Sequence, residues 1–130
     1  MNNLNSSLEN LKSIKELYLG SNKIIDISPI QYLLSIKMLD LNTNQIVNIT
    51  IIKSLSNLNN LDLSSNKISD IKPLQNLTLL NTLYLLSNQI SDITPLQNLT
   101  LLNELDLSFN FIENISFSLK FTNLFKLDFI

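Results

Sequence analysis

The sequence predicts an α/β solenoid, a curved horseshoe with a parallel β-sheet on its concave face and 3₁₀ or irregular arcs on its convex face. The chain repeats itself every 22 residues, and residues 61–80 and 83–102 share sixteen of twenty letters. Within each unit the apolar spacing changes from two residues to three, as expected of a short strand followed by a tight arc. One such unit cannot bury its apolar face alone, so the units are expected to stack around a shared core.

The repeats divide the chain into units without gaps. Residues 1–13 are predicted to form an N-terminal helical cap or partial repeat, since Ser6 and Ser7 before an apolar pair are typical of a helix start. Residues 124–130 are predicted to form a partial sixth repeat or a C-terminal strand. Between them lie five full units, at 14–35, 36–57, 58–79, 80–101 and 102–123.

A strand is predicted near the start of each unit. Two leucines separated by one residue, such as Leu17 and Leu19, point to one face of a strand, and the residue between them, Tyr18, points to the other. Successive strands are expected to lie side by side, about 4.8 Å apart. Because strands pack more closely than the arcs behind them, the stack is expected to curve with the sheet on the inside.

The arc that follows is marked by three-residue spacing and by proline. In the first full unit, apolar residues recur every third position from Ile24 to Leu33, which suits a 3₁₀ or irregular arc better than an α-helix. Proline restricts its own backbone and the residue before it, so it is expected to start the arc. The prolines share one place in the unit: Pro29, Pro73 and Pro95.

An asparagine follows the leucine pair in every full unit and is predicted to form a structural ladder. Its column stands between two core columns, where the chain turns out of the strand. Buried backbone groups at a turn need partners, and an amide both donates and accepts. This favours a structural role over a row of ligand-binding amides. The ladder contains Asn22, Asn44, Asn66, Asn88 and Asn110.

Together these columns resemble the signature of the leucine-rich repeat family, L-x-x-L-x-L-x-x-N-x-L. The segment ISDIKPLQNL at 68–77 resembles the 22-residue subclass shared by the phosphatase regulator Sds22 and the bacterial internalins. The resemblance covers residues 14–130 and implies a leucine-rich repeat solenoid. A close relation to Sds22 would imply a regulatory subunit of a protein phosphatase, and a close relation to internalins an exported protein that binds a host receptor.

The composition argues against catalysis. The chain has no histidine or cysteine, which removes the commonest acid–base and nucleophilic pairs. Its one glycine, Gly20, cannot supply a phosphate-binding loop, and no metal motif is present. We therefore predict a protein that is not an enzyme and that has no cofactor and no metal site.

The charge pattern and the apolar runs argue against nucleic-acid and membrane partners, and a protein is the expected partner. The net charge is −2 and no basic cluster occurs, so no nucleic-acid partner is expected. The apolar runs are far shorter than the roughly 20 residues of a membrane span, and no membrane partner is expected. The N-terminus lacks the pattern of a signal peptide. We expect a cytoplasmic protein, or an exported one if the leader of a precursor has been removed.

The outward side of the strands is predicted to bind the partner. Tyrosine offers a large, stiff contact area that is favoured at interface centres. Asp40 and Asp62 are expected to be neighbours, where like charges cost roughly 0.2–1 kcal/mol, which indicates a cationic partner or a bound cation. Alternatively, these aspartates are background of the repeat and are screened by solvent. The predicted site contains Tyr18, Asp40, Asp62, Tyr84, Leu86, Asp106 and Phe109.

The C-terminal end is rich in phenylalanine, and three interpretations of it stay open. All six phenylalanines lie between Phe109 and Phe129. Such an apolar end indicates an interaction or a missing piece. The aromatic residues close the core as a cap, or they form an end-to-end homodimer instead of a monomer, or the chain is a fragment followed by more repeats. The residues proposed for the cap or dimer are Phe121, Phe125 and Phe129.

Overall fold

The computed structural model describes residues 8, 10–113, 121, 123, 124 and 126–128, and its described strands form one parallel sheet. Each strand pairs with the next in chain order, with residues 22 apart in register, so that Leu17 faces Leu39 and Leu61 faces Leu83. The predicted solenoid with a parallel sheet is confirmed. The strands are β1 (Glu16–Tyr18), β2 (Met38–Asp40), β3 (Asn60–Asp62), β4 (Thr82–Tyr84), β5 (Glu104–Asp106) and β6 (Lys126–Asp128).

Four short 3₁₀ segments lie on the opposite side of the coils. They are arc 1 (Ser28–Tyr32), arc 2 (Thr50–Ser54), arc 3 (Lys72–Leu74) and arc 4 (Thr94–Leu96). Proline occupies the first turn of arcs 1, 3 and 4, as its column predicted. In every arc, a side-chain oxygen two residues earlier accepts the first N–H at 2.8–2.9 Å. These acceptors, which the sequence alone did not reveal, belong to Asp26, Asn48, Asp70 and Asp92.

The core is a continuous column of leucine and isoleucine side chains between the sheet and the arcs. The inward leucines of β2 to β5 are at most 1% exposed. The equivalent Leu17 and Leu19 of the first coil are only partly buried, because β1 has a neighbour on one side. At the other end, Phe121 and Leu124 are also partly buried and pack against the core.

The interior ladder asparagines join each coil to the one before it. The amide nitrogen of Asn66 donates to the carbonyl oxygens of Leu63 and Ser64 in its own coil and to Leu41 in the preceding coil, at 3.0–3.1 Å. Its amide oxygen accepts the N–H of Ile46, also in the preceding coil, at 3.0 Å. The same arrangement recurs at Asn44, Asn88 and Asn110.

The residue before each ladder asparagine has a left-handed backbone. Its φ lies between 53° and 58° in all five coils, a conformation that is uncommon for residues other than glycine. Four of these residues are serine or threonine, and the fifth is a bulky phenylalanine. They are Ser21, Thr43, Ser65, Ser87 and Phe109.

Parts of two predictions lie outside the described residues. The N-terminal cap falls mostly on residues 1–7 and 9, and the described part shows the N–H of Leu11 donating to Leu8 and that of Ile14 donating to Leu11. Phe125 and Phe129 also lie outside them. The helical cap and the end-to-end dimer therefore stay predictions.

Candidate functional site

The concave face of the sheet forms an open groove of about 260 Å³ across its first strands. Residues two apart on a strand share a face, so two side chains from each of β2, β3 and β4 stand in or beside the groove, with Tyr18 at the β1 end and Glu104 at the β5 end. The inward leucines of β2 and β3, Leu39 and Leu61, also line the groove and are 1% exposed. The lining residues are Tyr18, Met38, Leu39, Asp40, Asn60, Leu61, Asp62, Thr82, Tyr84 and Glu104.

Tyr18 stands at one end of the groove and is 60% exposed. Its hydroxyl donates to the Oε2 of Glu16 at 3.1 Å and lies 2.8 Å from the sulfur of Met38 on the neighbouring strand. The hydrogen bond to Glu16, together with burial and the charges of Glu16 and Asp40, raises the pKa of the Tyr18 phenol. The hydroxyl is therefore a neutral donor throughout the physiological range.

Tyr84 stands three strands away and is held by a shorter hydrogen bond. Its hydroxyl donates to the Oε2 of Glu104 on β5 at 2.6 Å. This hydrogen bond, followed by burial and by the charges of Glu104, Asp62 and Asp106, raises the pKa of Tyr84 to about 12. Both tyrosines are thus anchored at their hydroxyls by glutamates, which leaves ring surface as their contribution to a contact.

The aspartates of the strands have a structural role that the sequence alone did not single out. The Oδ1 of Asp40 accepts the N–H of Asn42 at 2.9 Å and its side-chain amide at 2.6 Å. Asp62 accepts the N–H of Ser64 at 2.9 Å in the same way. Aspartate two residues before a polar turn residue is the signal for such turns. The interpretation that these aspartates belong to the repeat itself therefore has a physical basis. The turn hydrogen bonds involve only the Oδ1 of each carboxylate.

The two aspartates of the groove are neighbours on adjacent strands. Asp40 and Asp62 are directly opposed in the register of β2 and β3. No lysine lines the groove. Within the described residues, the ion pair on this face is Lys126–Asp128, at 3.4 Å on β6. The groove is therefore an acidic surface.

The structure brings together four of the seven residues predicted for the binding face: Tyr18, Asp40, Asp62 and Tyr84. The other three do not line the groove. Leu86 is partly buried beyond β4, Asp106 lies on β5, and Phe109 is 71% exposed in its left-handed turn.

Six residues that line the groove are not among the seven predicted for the binding face. Two of them, Leu39 and Leu61, are the inward leucines of β2 and β3. The other four each stand two residues before the outward residue of their strand, so the alternation of the strand places them on the concave face. They are Met38, Asn60, Thr82 and Glu104.

The described residues contain neither a metal cluster nor a membrane-spanning helix. Across them, acidic side chains do not gather in groups of three able to hold a metal ion. Within the same residues there is no helix with the length and hydropathy needed to span a bilayer.

Comparison with known proteins supports the repeat assignment. Residues 56–98 match the family described as Leucine Rich repeats (2 copies). The internalin InlF of Listeria monocytogenes is 41% identical, with a TM-score of 0.90 over 94% of this chain and 36% of that one. The internalin InlC2 of the same organism is 39% identical, with a TM-score of 0.92 over 96% of this chain and 55% of that one.

A plant protein shows the same architecture at a greater distance. The leucine-rich repeat ectodomain of the receptor kinase SOBIR1 from Arabidopsis thaliana is 31% identical, with a TM-score of 0.68 over 79% of this chain and 60% of that one. The chain thus spans only about a third to three fifths of the length of these structures. No curated protein sequence matches it.

The chain is a leucine-rich repeat protein. Within that class, its solenoid is internalin-like. The internalin side of the predicted resemblance is therefore confirmed, and the likeness to Sds22 stays a prediction.

Proposed function

We propose that this chain is a non-catalytic interaction module that binds a protein partner on its concave face. Leucine-rich repeat proteins generally bind protein partners, and curved solenoids present extended concave surfaces for this purpose. The observation that carries the proposal is the groove across β1 to β4, with Tyr18 and Tyr84 at its two sides. Anchored tyrosines lose little conformational freedom on binding and offer large contact areas.

The size of the face suits a stable contact. Six strands extend over about 25 Å at the usual spacing. A standard interface buries about 800 Å² on each partner, which is about a tenth of the 7452 Å² surface of this chain. Because each strand has only three residues, an interface of that size would also involve the turns beside the strands.

Capture of a partner by tyrosine variants tests the proposal. The double variant Tyr18→Ala/Tyr84→Ala removes both groove rings. The matched control is Tyr32→Ala, because Tyr32 is the third tyrosine, lies in arc 1 on the other side of the coil and is 38% exposed. We expect the wild type and the control to retain one protein from a lysate of the source cells that the double variant loses, with all three melting at similar temperatures.

Loss of that protein with Tyr32→Ala alone would place the contact on the convex side and contradict the proposal. Retention by the wild type and by both variants would also contradict it, because the two groove tyrosines would then contribute nothing to the capture.

Two alternatives from the sequence have less support. Assembly through the C-terminal end depends on Phe125 and Phe129, outside the described residues, whereas Phe121 packs against the core as a capping residue would. A role as a phosphatase regulatory subunit depends on the likeness to Sds22. The concave-face proposal has more support, because the residues that line its groove all belong to the described part of the chain.

A further inference from the structure

We propose that the groove binds an extended peptide segment of a partner protein, with a lysine or arginine side chain placed against Asp40 and Asp62 between the two tyrosines. The inference rests on the proposed concave-face function and specifies the chemistry of the partner. It combines an unpartnered sheet face, its charge and the positions of the two aromatic rings.

The charge of the groove selects a cation. Asp40 and Asp62 face each other in register on adjacent strands, and like charges in such positions repel. The Oδ1 of each accepts turn hydrogen bonds, which leaves Oδ2 as the carboxylate oxygen that these turns do not use. Because no lysine lines the groove, a cation supplied by the partner would relieve this repulsion.

The aromatic rings select a cation on a long apolar stem. Lysine and arginine bury their methylene stems along apolar surface while the charged head stays in a polar environment. The side chains of Tyr18 and Met38, joined where the tyrosine hydroxyl lies 2.8 Å from the methionine sulfur, offer such a surface beside Asp40. A cation within about 6 Å of a tyrosine ring is also attracted to its face. Hydrogen bonds to Glu16 and Glu104 hold both tyrosine hydroxyls in place.

The dimensions favour an extended peptide. Tyr18 on β1 and Tyr84 on β4 are three strand spacings apart, about 14 Å. An extended chain covers that distance with about four residues. At about 260 Å³ the groove is shallow and open, and it lies below the usual volume of a pocket that encloses a small molecule. A row of side chains across the strands fits it better.

Fluorescence anisotropy with two synthetic peptides tests the proposal. The probe is a fluorescein-labelled heptapeptide of alternating serine and lysine, and its counterpart carries glutamate in place of lysine. The test variant is Asp40→Asn/Asp62→Asn, since the amide oxygen of asparagine can still accept the turn hydrogen bonds while the charge is removed.

The matched control is Asp70→Asn/Asp92→Asn on the convex side. Asp70 and Asp92 also accept the N–H two residues later, at 2.9 Å, so the control makes the same chemical change and the same change in net charge. It leaves the groove untouched.

We expect the lysine peptide to bind the wild type and the control alike, and the groove variant about tenfold more weakly. Added salt should weaken binding to the wild type, because exposed charges are screened. Equal weakening in both variants would overturn the proposal by showing attraction to net charge alone. Equal binding of the glutamate peptide, or no binding of the lysine peptide, would overturn it as well.

The two proposals can fail separately. If a partner protein is lost with Tyr18→Ala/Tyr84→Ala but retained by Asp40→Asn/Asp62→Asn, the concave face is the binding face and the cationic segment is wrong. If the tyrosine variant retains the partner, the proposed function itself is wrong.

Discussion

Each interior asparagine of the ladder satisfies backbone groups of two coils with one amide. Asn66 is 8% exposed, and four backbone groups are within hydrogen-bonding distance of its side chain. Asn22 in the first coil differs, because it is exposed and, within the described residues, donates to Leu19 and Gly20 of its own coil. Residues of the same sequence column are therefore expected to contribute very different amounts to the free energy of unfolding.

Replacement of the two asparagines by alanine should separate these roles. Asn66→Ala leaves the buried N–H of Ile46 and several carbonyl groups without a partner, and a buried unsatisfied group costs about 1–3 kcal/mol. We expect the free energy of unfolding to fall by about 3 kcal/mol. For Asn22→Ala we expect less than about 1 kcal/mol, because water can replace the lost donor. Urea denaturation measures both, and equal losses would contradict the ladder as described.

The Tyr84–Glu104 hydrogen bond gives the groove a pH-dependent contact. The folded-state pKa of Tyr84 is raised to about 12 from 10.0. Because it is raised, the stabilisation is complete below pH 10 and is lost as the pH rises through about 12. Glu104→Gln removes the charge and should lower the pKa of Tyr84 towards 10. The measurement is a pH titration of the absorbance at 295 nm. Subtracting the titration of Tyr84→Phe, once with Glu104 and once with Glu104→Gln, isolates the Tyr84 phenol. The same titration midpoint with and without Glu104 would refute the assignment of the pKa shift to Glu104.

At the scale of elements, each of the first four full coils contains a strand, a left-handed turn and an arc. The strands and the arcs could be predicted, since the leucine pair and the proline column are direct consequences of their geometry. The left-handed turn could not, because serine and threonine have no preference for positive φ. The turn lies at the residue before each ladder asparagine, where the chain leaves the strand and the asparagine side chain enters the space between two coils.

Phe109 is the strained member of that turn column. Its φ is 55° and its side chain is 71% exposed, so packing does little to offset the backbone cost. A left-handed conformation costs an ordinary residue about 1–2 kcal/mol, and asparagine tolerates it better. Phe109→Asn should therefore raise the free energy of unfolding by about 1 kcal/mol.

The control for this change is Phe111→Asn. Phe111 is similarly exposed, at 66%, and its φ is not positive. Its replacement should alter the free energy of unfolding by less than about 0.5 kcal/mol, as surface substitutions usually do. If chemical denaturation shows the same change for both variants, the gain at Phe109 comes from removing an exposed ring and not from the backbone.

At the scale of the whole molecule, stability is distributed along a stack. Each coil contacts its neighbours, so the cost of a core substitution should depend on the position of its coil. Leu83 in β4 is fully buried, whereas Leu17 in β1 occupies the same column and is only partly buried.

Two identical substitutions at these positions test the stack. Leu83→Ala should lower the free energy of unfolding by about 3–4 kcal/mol, the range of a buried leucine that leaves a cavity. Leu17→Ala should cost about 1–2 kcal/mol, because less apolar surface is lost from the core. Urea denaturation measures both losses, and the comparison is direct if the free energies of unfolding of the two variants depend equally on urea concentration. Equal losses of free energy would show that the first coil is as well packed as the fourth.

The sequence by itself determined the repeat length, the strand register, the core columns and the arcs. These features follow from apolar spacing, and a 22-residue period without gaps allows only one register for all five pairs of adjacent strands. The leucine pairs therefore specify both the inward face of the sheet and the order of its strands.

The tertiary structure decided which outward residues line the groove. The groove joins Tyr18 to Tyr84 and includes Glu104, but leaves out Leu86 and Phe109. The physical reason is that core residues obey a local period, whereas the groove depends on how side chains of adjacent strands lean and hydrogen-bond across the sheet. Strand alternation places Glu104 on the concave face, but its hydrogen bond with Tyr84, 20 positions earlier, is encoded by no local pattern.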